Sequence, residues 1–463
     1  MILYLKLLIL LWLINFAPPF MALIFEKKWS TPIDLGHNYS DGRPFFGSHK
    51  TIRGFLAGVA AGAFMGAAMG FAWWIGPAAG VLGMSGDLLS SFVKRRLAFP
   101  SGDVVPGLDQ FPEGFLPFLV LTPQFALSAR ATLACIIVFG VGAYLGSIFL
   151  NRVLLEKPFD SYPRKLRPVT RFRELVSCQI SSRPLRFILN FEDAFYYHIF
   201  MKTVFRLLGI FGKGRRNALV VETREVSFRF PDLPRSFDGY RILFLTDLHL
   251  DGLEGLTEKL IEIVRRIPVD LCILGGDFRM ETSGPFANAL SHLSALLPEI
   301  RARDGIVAVL GNHDCIEIVE KLEEIGIHFL VNQSLALERG EERLWLAGVD
   351  DAHYFKCHNP EQAFRDVPKD AFSIFISHSN EIYDQVGQYG PRLYLCGHCH
   401  DGQIKIPPFG ALFTHSRAPR SLCSGRWSYR GMPGYTSAGV GVSGVPVRFN
   451  TKGEVTVITL ERE

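Results

Sequence analysis

The chain has 463 residues, enough for two or three domains. Its net charge of +4 and its 20% of charged residues are ordinary, and the small positive excess comes without a basic, aromatic-interleaved face, so nucleic acid is not expected as a partner. The average conceals a division: apolar stretches dominate to about Leu155, whereas after Ala218 the chain reads as a soluble mixed α/β domain.

Five segments are predicted to span or enter a bilayer: Met1–Phe25, Gly54–Ile75, Gly76–Phe92, Phe115–Phe125 and Thr132–Leu150. A full span takes roughly 20 apolar residues, so the third and fourth are short. The first has only Lys6 near its start and no small-residue cleavage site, which favours a retained anchor over a signal peptide. Lys27, Lys28, Arg43, Lys50 and Arg53 lie between the first two segments, and Lys94, Arg95 and Arg96 follow the third. Arg152, Lys157, Arg164, Lys165 and Arg167 follow the fifth, while the other connections are nearly uncharged up to Arg130. The positive-inside rule then puts the amino terminus outside. Both basic loops and everything after the fifth segment fall in the cytoplasm, as in a multi-pass inner-membrane protein. Eight cysteines without framework spacing are expected as reduced thiols.

An anchor needs no polar residues in its cytoplasmic loops, yet this one has many. Lys50-Thr51-Ile-Arg53-Gly54 precedes the second segment, and Ser85-Gly86-Asp87 leads into Ser90-Ser91-Phe-Val-Lys94-Arg95-Arg96. Gly102-Asp103 and Pro106-Gly-Leu-Asp109-Gln110 follow. An acid within an apolar segment, as Asp87 is, usually marks an ion or substrate site. Asp87 with Asp103 or Asp109 can hold Mg²⁺ against a triphosphate, with Lys50, Arg53, Lys94 and Arg95 pairing its charge. At these residues, together with Asn15 and Pro18, the chain to about Arg167 resembles the CDP-archaeol synthase family, relatives of CDP-diacylglycerol synthase. The resemblance implies a CTP-dependent lipid-phosphate cytidylyltransferase. The Lys-Asp and His-Gly-Gly elements of bacterial relatives are missing, and the alternative is a degenerate five-helix anchor whose cations only obey topology.

Residues 156–217 are rich in Arg, Lys, Pro and aromatics and fit no compact domain. Tyr196–Phe211 mixes apolar residues with Lys202 and Arg206, ahead of Lys213, Arg215 and Arg216, which reads as a helix lying in the membrane interface. The alternative is a soluble helix covering the next domain.

That domain alternates strands and helices. Apolar runs at Arg241–Thr246, Leu271–Leu274, Ile306–Leu310, Phe372–Ile376 and Leu393–Cys396 each end at ligand-type residues, the edge where open α/β sheets place their sites. The residues are Asp247 and His249, Asp277, Asn312-His313-Asp314, His378, and His398 with His400. Hydrolysis at phosphorus calls for two cations about 4 Å apart, which neutralise the phosphate charge and acidify a water. Such a pair needs a bridging carboxylate, imidazoles and a neutral oxygen ligand.

From about Val220 onward this pattern resembles the calcineurin-like metallophosphoesterases, whose fold is a four-layer α/β/β/α sandwich. The resemblance implies that metal one takes Asp247, His249, Asp277 and His400. Metal two takes Asp277 as bridge, with Asn312, His378 and His398. His313 assists the leaving oxygen and Asp314 orients it. Manganese is the expected ion, with iron or zinc as alternatives. Cys396-Gly-His-Cys399-His400 also matches a c-type haem attachment or redox pattern, but haem is attached outside the cytoplasm and the metal pattern claims the same histidines. His292, His328, His353, His358 and His415 fit no motif and are expected on the surface or in packing, and Asp251 reads as a supporting acid or an exposed carboxylate. Where many relatives have Gly-Asp-x-x-Asp, the chain has Gly276-Asp277-Phe-Arg279-Met280, which makes Arg279 a candidate phosphate ligand, with a surface salt bridge as the alternative. The tail around Gly439–Asn450 looks like a membrane-associated, UDP-2,3-diacylglucosamine pyrophosphatase-like subgroup, which puts Arg448 either near the site as a substrate contact or at a structural strand end. The expected whole is a transmembrane domain of about five helices (1–155), a basic interfacial linker (156–217) and an α/β phosphoesterase domain (218–463). Its substrate is expected to be a membrane lipid, with a CDP or UDP moiety. Nothing in the sequence sets the oligomeric state.

Overall fold

The computed structural model describes residues 2–25, 28–99, 105, 107–149, 162–164, 168–179 and 199–463. Two compact units divide the chain, Met1–Glu156 and Lys157–Glu463. Asp103, Lys27, Arg152, Lys157, Lys165, Arg167 and 196–198 lie outside the described residues.

The first unit is helical: α1 (Ile2–Phe25), α2 (Ile52–Ala68), α3 (Ile75–Arg96), α4 (Gln110–Gln124) and α5 (Ala129–Phe149). Ile2–Ala22 and Ala129–Ser147 are long and apolar enough to cross a membrane, whereas Ile52–Ala68 is apolar but shorter. Small residues set the helix spacing. Gly54, Gly58, Gly62 and Gly66 form one buried stripe along α2. A Cβ at Gly62 would stand 2.5 Å from the carbonyl oxygen of Gly76 on α3, and one at Gly80 would stand 2.8 Å from the Cα of Val59. The two backbones touch with no side chain between them, as small-xxx-small pairs allow. On the other side of the bundle, α1 is held to α5 by the Trp12 indole, which donates to the Phe139 carbonyl at 3.1 Å.

The second unit contains two six-stranded sheets among the described residues. The first orders β1 (Val221–Phe230), β14 (Gly453–Arg462), β2 (Tyr240–Leu245), β3 (Leu271–Leu274), β4 (Ile306–Ala308) and β5 (Ile327–Phe329). The second orders β12 (Gly425–Tyr429), β13 (Met432–Thr436), β9 (Leu393–Cys396), β8 (Ser373–Ile376), β7 (Glu342–Gly348) and β6 (Gln333–Arg339). Strands β2 to β5 are mutually parallel, as are β7, β8, β9 and β13. Side-chain alternation explains why these strands read as unbroken apolar runs. Ile242, Phe244, Leu271 and Ile273 join Ile374, Ile376, Leu393 and Leu395 in one buried cluster shared by both sheets. Leu243, Leu245, Cys272 and Leu274 turn to a second cluster with Leu256, Leu260 and Leu293 from the helices Leu256–Val264 and Ala287–Leu296. Phe375, Tyr394 and Cys396 turn to a third cluster.

Two expectations for the connecting stretch change. Part of it is built into the second unit: Arg164 pairs with Asp350 at 2.5 Å and Glu174 at 2.6 Å, and the Thr170 hydroxyl donates to the Phe355 carbonyl at 2.7 Å. These partners lie up to 186 positions away, so no local periodicity announces them. The proposed single helix ending at Phe211 is also broken. Lys202–Leu207 and Phe211–Ala218 are separate helices, and Gly209 at φ 70° ends the first. The cysteines depart from expectation as well, since Cys178 and Cys315 form a disulfide across 137 positions.

Replacing Gly62 or Gly76 by valine is expected to force α2 and α3 apart. The check is a lowered midpoint of thermal aggregation for the detergent-solubilised full chain. Ala61→Val, one position along α2 on a partly exposed face, should leave the midpoint within about 1 °C.

Candidate metal centre

The parallel strands point the same edge of each sheet toward one place. Asp247 and His249 follow β2, Asp277 follows β3, Asn312 and His313 follow β4, His378 follows β8, and His398 and His400 follow β9. Turning the chain there takes unusual backbone. Asp247, His249, Asp277, His398 and His400 all have positive φ, between 41° and 69°. A side chain in this region costs roughly 1–3 kcal/mol and persists only where the surroundings impose it. Glycine is needed beside them: a Cβ on Gly397 would collide with the Asp247 carboxylate and with Thr246.

The seven expected ligands converge. Asp247, His249 and His400 offer ligand atoms within 4.8 Å of one another, and so do Asp277, His378 and His398. Asp277 lies between the groups, its Oδ2 3.6 Å from His249 Nε2 and 3.2 Å from His378 Nε2. Asn312 Oδ1 stands 3.0 Å from His378 Nε2. Three imidazoles are aimed by backbone carbonyls: His249 Nδ1 by Arg279 at 2.7 Å, His378 Nδ1 by Gly275 at 2.8 Å and His398 Nε2 by His415 at 3.1 Å. Each leaves its other nitrogen for the cage, the arrangement that fixes the tautomer of a metal-binding histidine.

The electrostatics fit a cation pair. Burial pushes Asp277 upward, but His313, His378 and His249 outweigh it and hold its carboxyl well below the usual range. Asp247 is raised by burial and by Asp277. Burial opposes a charge on His378, yet Asp277 and Asp247 push it up to about 10. Burial lowers His313 to about 4 and keeps His398 and His400 well below their ordinary value, so their lone pairs are available. His249 Nε2 is buried with no hydrogen-bond partner among the described residues. A buried donor set of two acids, one amide oxygen and four imidazoles, with this nitrogen orphaned, fits two divalent ions.

Four expectations need correction. Asp314 does not orient His313: its carboxylate accepts from the backbone N–H groups of Asp277, Gly311 and Phe278 at 2.7, 2.9 and 3.0 Å, pinning the β3 loop to the β4 loop. The His313 ring reaches Ser443 Oγ, 3.5 Å from its Nε2. Arg279 is 1% exposed and its guanidinium donates to the carbonyls of His313, Gly284 and Thr282, so it braces the loop instead of meeting phosphate. Arg448, 0% exposed, donates to the carbonyls of Ala438, Gly439, Gly441 and His400 in the same bracing role. Conversely, His353 and His415, expected on the surface or in packing, line the cavity of about 240 Å³ over the cage. His353 Nδ1 lies 2.9 Å from Glu381, and its ring centroid is 4.3 Å from that of His398. Neither sits at a motif spacing, so sequence held no signal for them. Asp251 is a supporting acid, accepting from the Met280 N–H at 2.7 Å.

The first unit has a site of its own. Lys50 pairs with Asp87 at 2.5 Å and Lys94 with Asp109 at 2.6 Å around a cavity of about 180 Å³ that Arg95 also lines. Glu113, which sequence reasoning passed over, completes it and accepts from Asn15 Nδ2. Arg53 lines an adjoining cavity, with its guanidinium on the Lys28 carbonyl.

Comparison with known proteins gives matches to both halves. The model for calcineurin-like phosphoesterase matches residues 240–402, and that for CDP-archaeol synthase matches residues 1–76. The chain is 27% identical over 254 residues to the uncharacterized metallophosphoesterase YkoQ of Bacillus subtilis, covering 53% of this chain and 92% of that protein. It is 28% identical over 235 residues to the phosphodiesterase YaeI of Escherichia coli, covering 48% and 82%. At the other end it is 36% identical over 136 residues to the CDP-archaeol synthase of Pyrococcus abyssi, covering 27% of this chain and 80% of that one.

Asp277→Asn removes the shared charge, and the purified variant is expected to hold less than one metal per chain by elemental analysis where the parent holds two. Chelation of the parent should lower the unfolding midpoint of the second unit by on the order of 5 °C, because ions bound only by the native state stabilise it by about 3 kcal/mol at a hundredfold excess over Kd. Differential scanning calorimetry with and without added Mn²⁺ checks this.

Proposed function

Because the chain belongs to the CDP-archaeol synthase family over its N-terminal part and to the calcineurin-like phosphoesterases over its C-terminal part, we propose that it is a membrane-bound hydrolase of lipid-linked phosphoanhydride or phosphodiester bonds. The observation that carries the reading is the buried cage of Asp247, Asp277 and four histidines, opening on a cavity that His313 lines. Two divalent ions, manganese first, would supply charge neutralisation and an activated water when bound. Asp247, His249, Asp277 and His400 would hold one, and Asp277, Asn312, His378 and His398 the other. His313 supplies the proton or hydrogen bond at the leaving oxygen through Nε2, the nitrogen facing Ser443. Asp314, Arg279 and Arg448 keep the loops rigid so that this geometry is preformed.

A nucleotide-diphosphate lipid is the most economical substrate, because the partner module belongs to a family named for making one. The remaining expectations belong to the same reading. These are five spans, a cytoplasmic face for the hydrolase, the α/β/β/α layering, and domain limits near 155 and 217. The cavity of the first unit supports a second reading in which that half also transfers CMP from CTP to a lipid phosphate. Lys50, Lys94 and Arg95 would meet the triphosphate, and Asp87, Asp109 and Glu113 its magnesium.

Full-length protein in nanodiscs with Mn²⁺ is expected to release CMP from CDP-diacylglycerol or UMP from UDP-diacylglucosamine, and His313→Ala should slow this by about a hundredfold. Good turnover of soluble diesters with no nucleotide release from either lipid would refute the lipid assignment. For the second reading, incorporation of radiolabelled CTP into lipid should vanish in Asp87→Asn and persist in His313→Ala.

A further inference from the structure

Two pieces of chain far apart in sequence meet beside the metal cavity. The helix Lys202–Leu207 turns Phe205 inward, where its ring stacks on Phe449 at 5.7 Å. Ile404, at the base of the hairpin formed by β10 (Lys405–Ile406) and β11 (Gly410–Ala411), bridges to the same Phe449 and joins the same buried cluster. Both pieces present apolar side chains outward: Leu207 is 82% and Leu208 64% exposed, Phe409 83%, Ile406 45% and Phe413 43%.

Single exposed apolar residues are common, but five on two abutting elements form a patch. The patch borders the cavity. His415, two residues beyond Phe413, lines it, and so does Gly444, whose neighbour Val445 is buried in the cluster beneath the patch. Cations flank the apolar residues along the chain, and Arg420 donates to the Ala411 carbonyl of the hairpin at 3.3 Å. Lys202, Arg206, Lys213 and Arg216 lie on the helical side, and Arg417 and Arg420 lie beyond the hairpin. The nearby acids Asp401 and Glu254 are already paired, with Lys405 at 2.5 Å and Arg215 at 3.4 Å. An apolar centre in a positive border is complementary to an anionic lipid surface, where rings sink to the acyl boundary and cations meet headgroups. The same chain carries two helices long and apolar enough to cross a membrane.

We propose that the hairpin Ile404–Phe413 and the end of the helix Lys202–Leu207 insert into the headgroup region of an anionic bilayer. A lipid-borne phosphate then reaches the cage while its acyl chains stay in the membrane. The proposal deepens the lipid-hydrolase reading, but insertion itself is measurable without turnover.

The test uses the full chain in nanodiscs of phosphatidylcholine with or without phosphatidylglycerol. Phe409→Cys is labelled with an environment-sensitive nitrobenzoxadiazole, the free cysteines among the described residues being buried. The expected result is a blue shift and quenching by nitroxide-labelled lipid, stronger with phosphatidylglycerol. The same label at Glu341→Cys, in the exposed turn between β6 and β7, should stay accessible to aqueous iodide. A label at 409 that behaves like the one at 341 overturns the proposal. So does shielding that follows protein concentration and ignores lipid, which would assign the patch to a second copy of the chain. In a second arm, Phe409→Asp with Phe413→Asp should lower kcat/KM on vesicle-borne substrate about tenfold and leave soluble bis(4-nitrophenyl) phosphate hydrolysis unchanged. An equal loss on both substrates overturns the proposal. Absence of lipid turnover with the depth quenching intact refutes the substrate reading alone and leaves insertion standing.

Discussion

The second unit is organised around the need to neutralise two buried carboxylates at the floor of a cavity. Asp247 and Asp277 are 0% and 1% exposed, and an unpaired ion in such a place costs several kcal/mol. The fold answers with four imidazoles and with N–H groups such as that of His398, which donates to Asp247 at 2.9 Å. The left-handed backbone at five of the ligands adds strain to this burden. Two divalent cations, held by Asp247, Asp277, Asn312 and the four histidines, would supply the remaining countercharge. That is why strand order, loop glycines and bracing arginines all serve the same small volume.

The residues that converge on the cage were legible in sequence because each lies within a few residues of a strand end, and a strand end is local information. Asp277 and His378 were legible from the apolar runs before them. Direction was not legible. Arg279 read as a phosphate ligand and Arg448 as a residue near the site because a free guanidinium and a buried one are written identically, and only the carbonyls of His313 and His400 around them tell the two apart. Asp314 was misread for the same reason, since its partners are backbone N–H groups that no motif records. His353 reaches the cavity from the loop after β7, and its partner Glu381 follows β8, so their meeting depends on sheet order. The Cys178–Cys315 pair likewise joins segments that only the folded unit brings together.

The first unit solves a related problem by different means. Its helices are apolar outside and close-packed through glycine, so each polar group left inside must find another. Lys50 with Asp87 and Lys94 with Asp109 are such pairs. Charges that satisfy each other around this cavity are also charges that a bound nucleotide and its magnesium would compete for. Both units thus keep ionisable groups in reserve against a ligand of opposite charge.

The strand β14, Gly453–Arg462, lies between β1 and β2 and hydrogen-bonds to both. Without it, β1 has no partner in that sheet and β2 keeps only β3. Arg448, which gathers the carbonyls behind His400, comes just ahead of this strand. The seam that closes the sheet and the side chain that holds the loop behind His400 thus lie on one short stretch of chain, and damage there would disturb both.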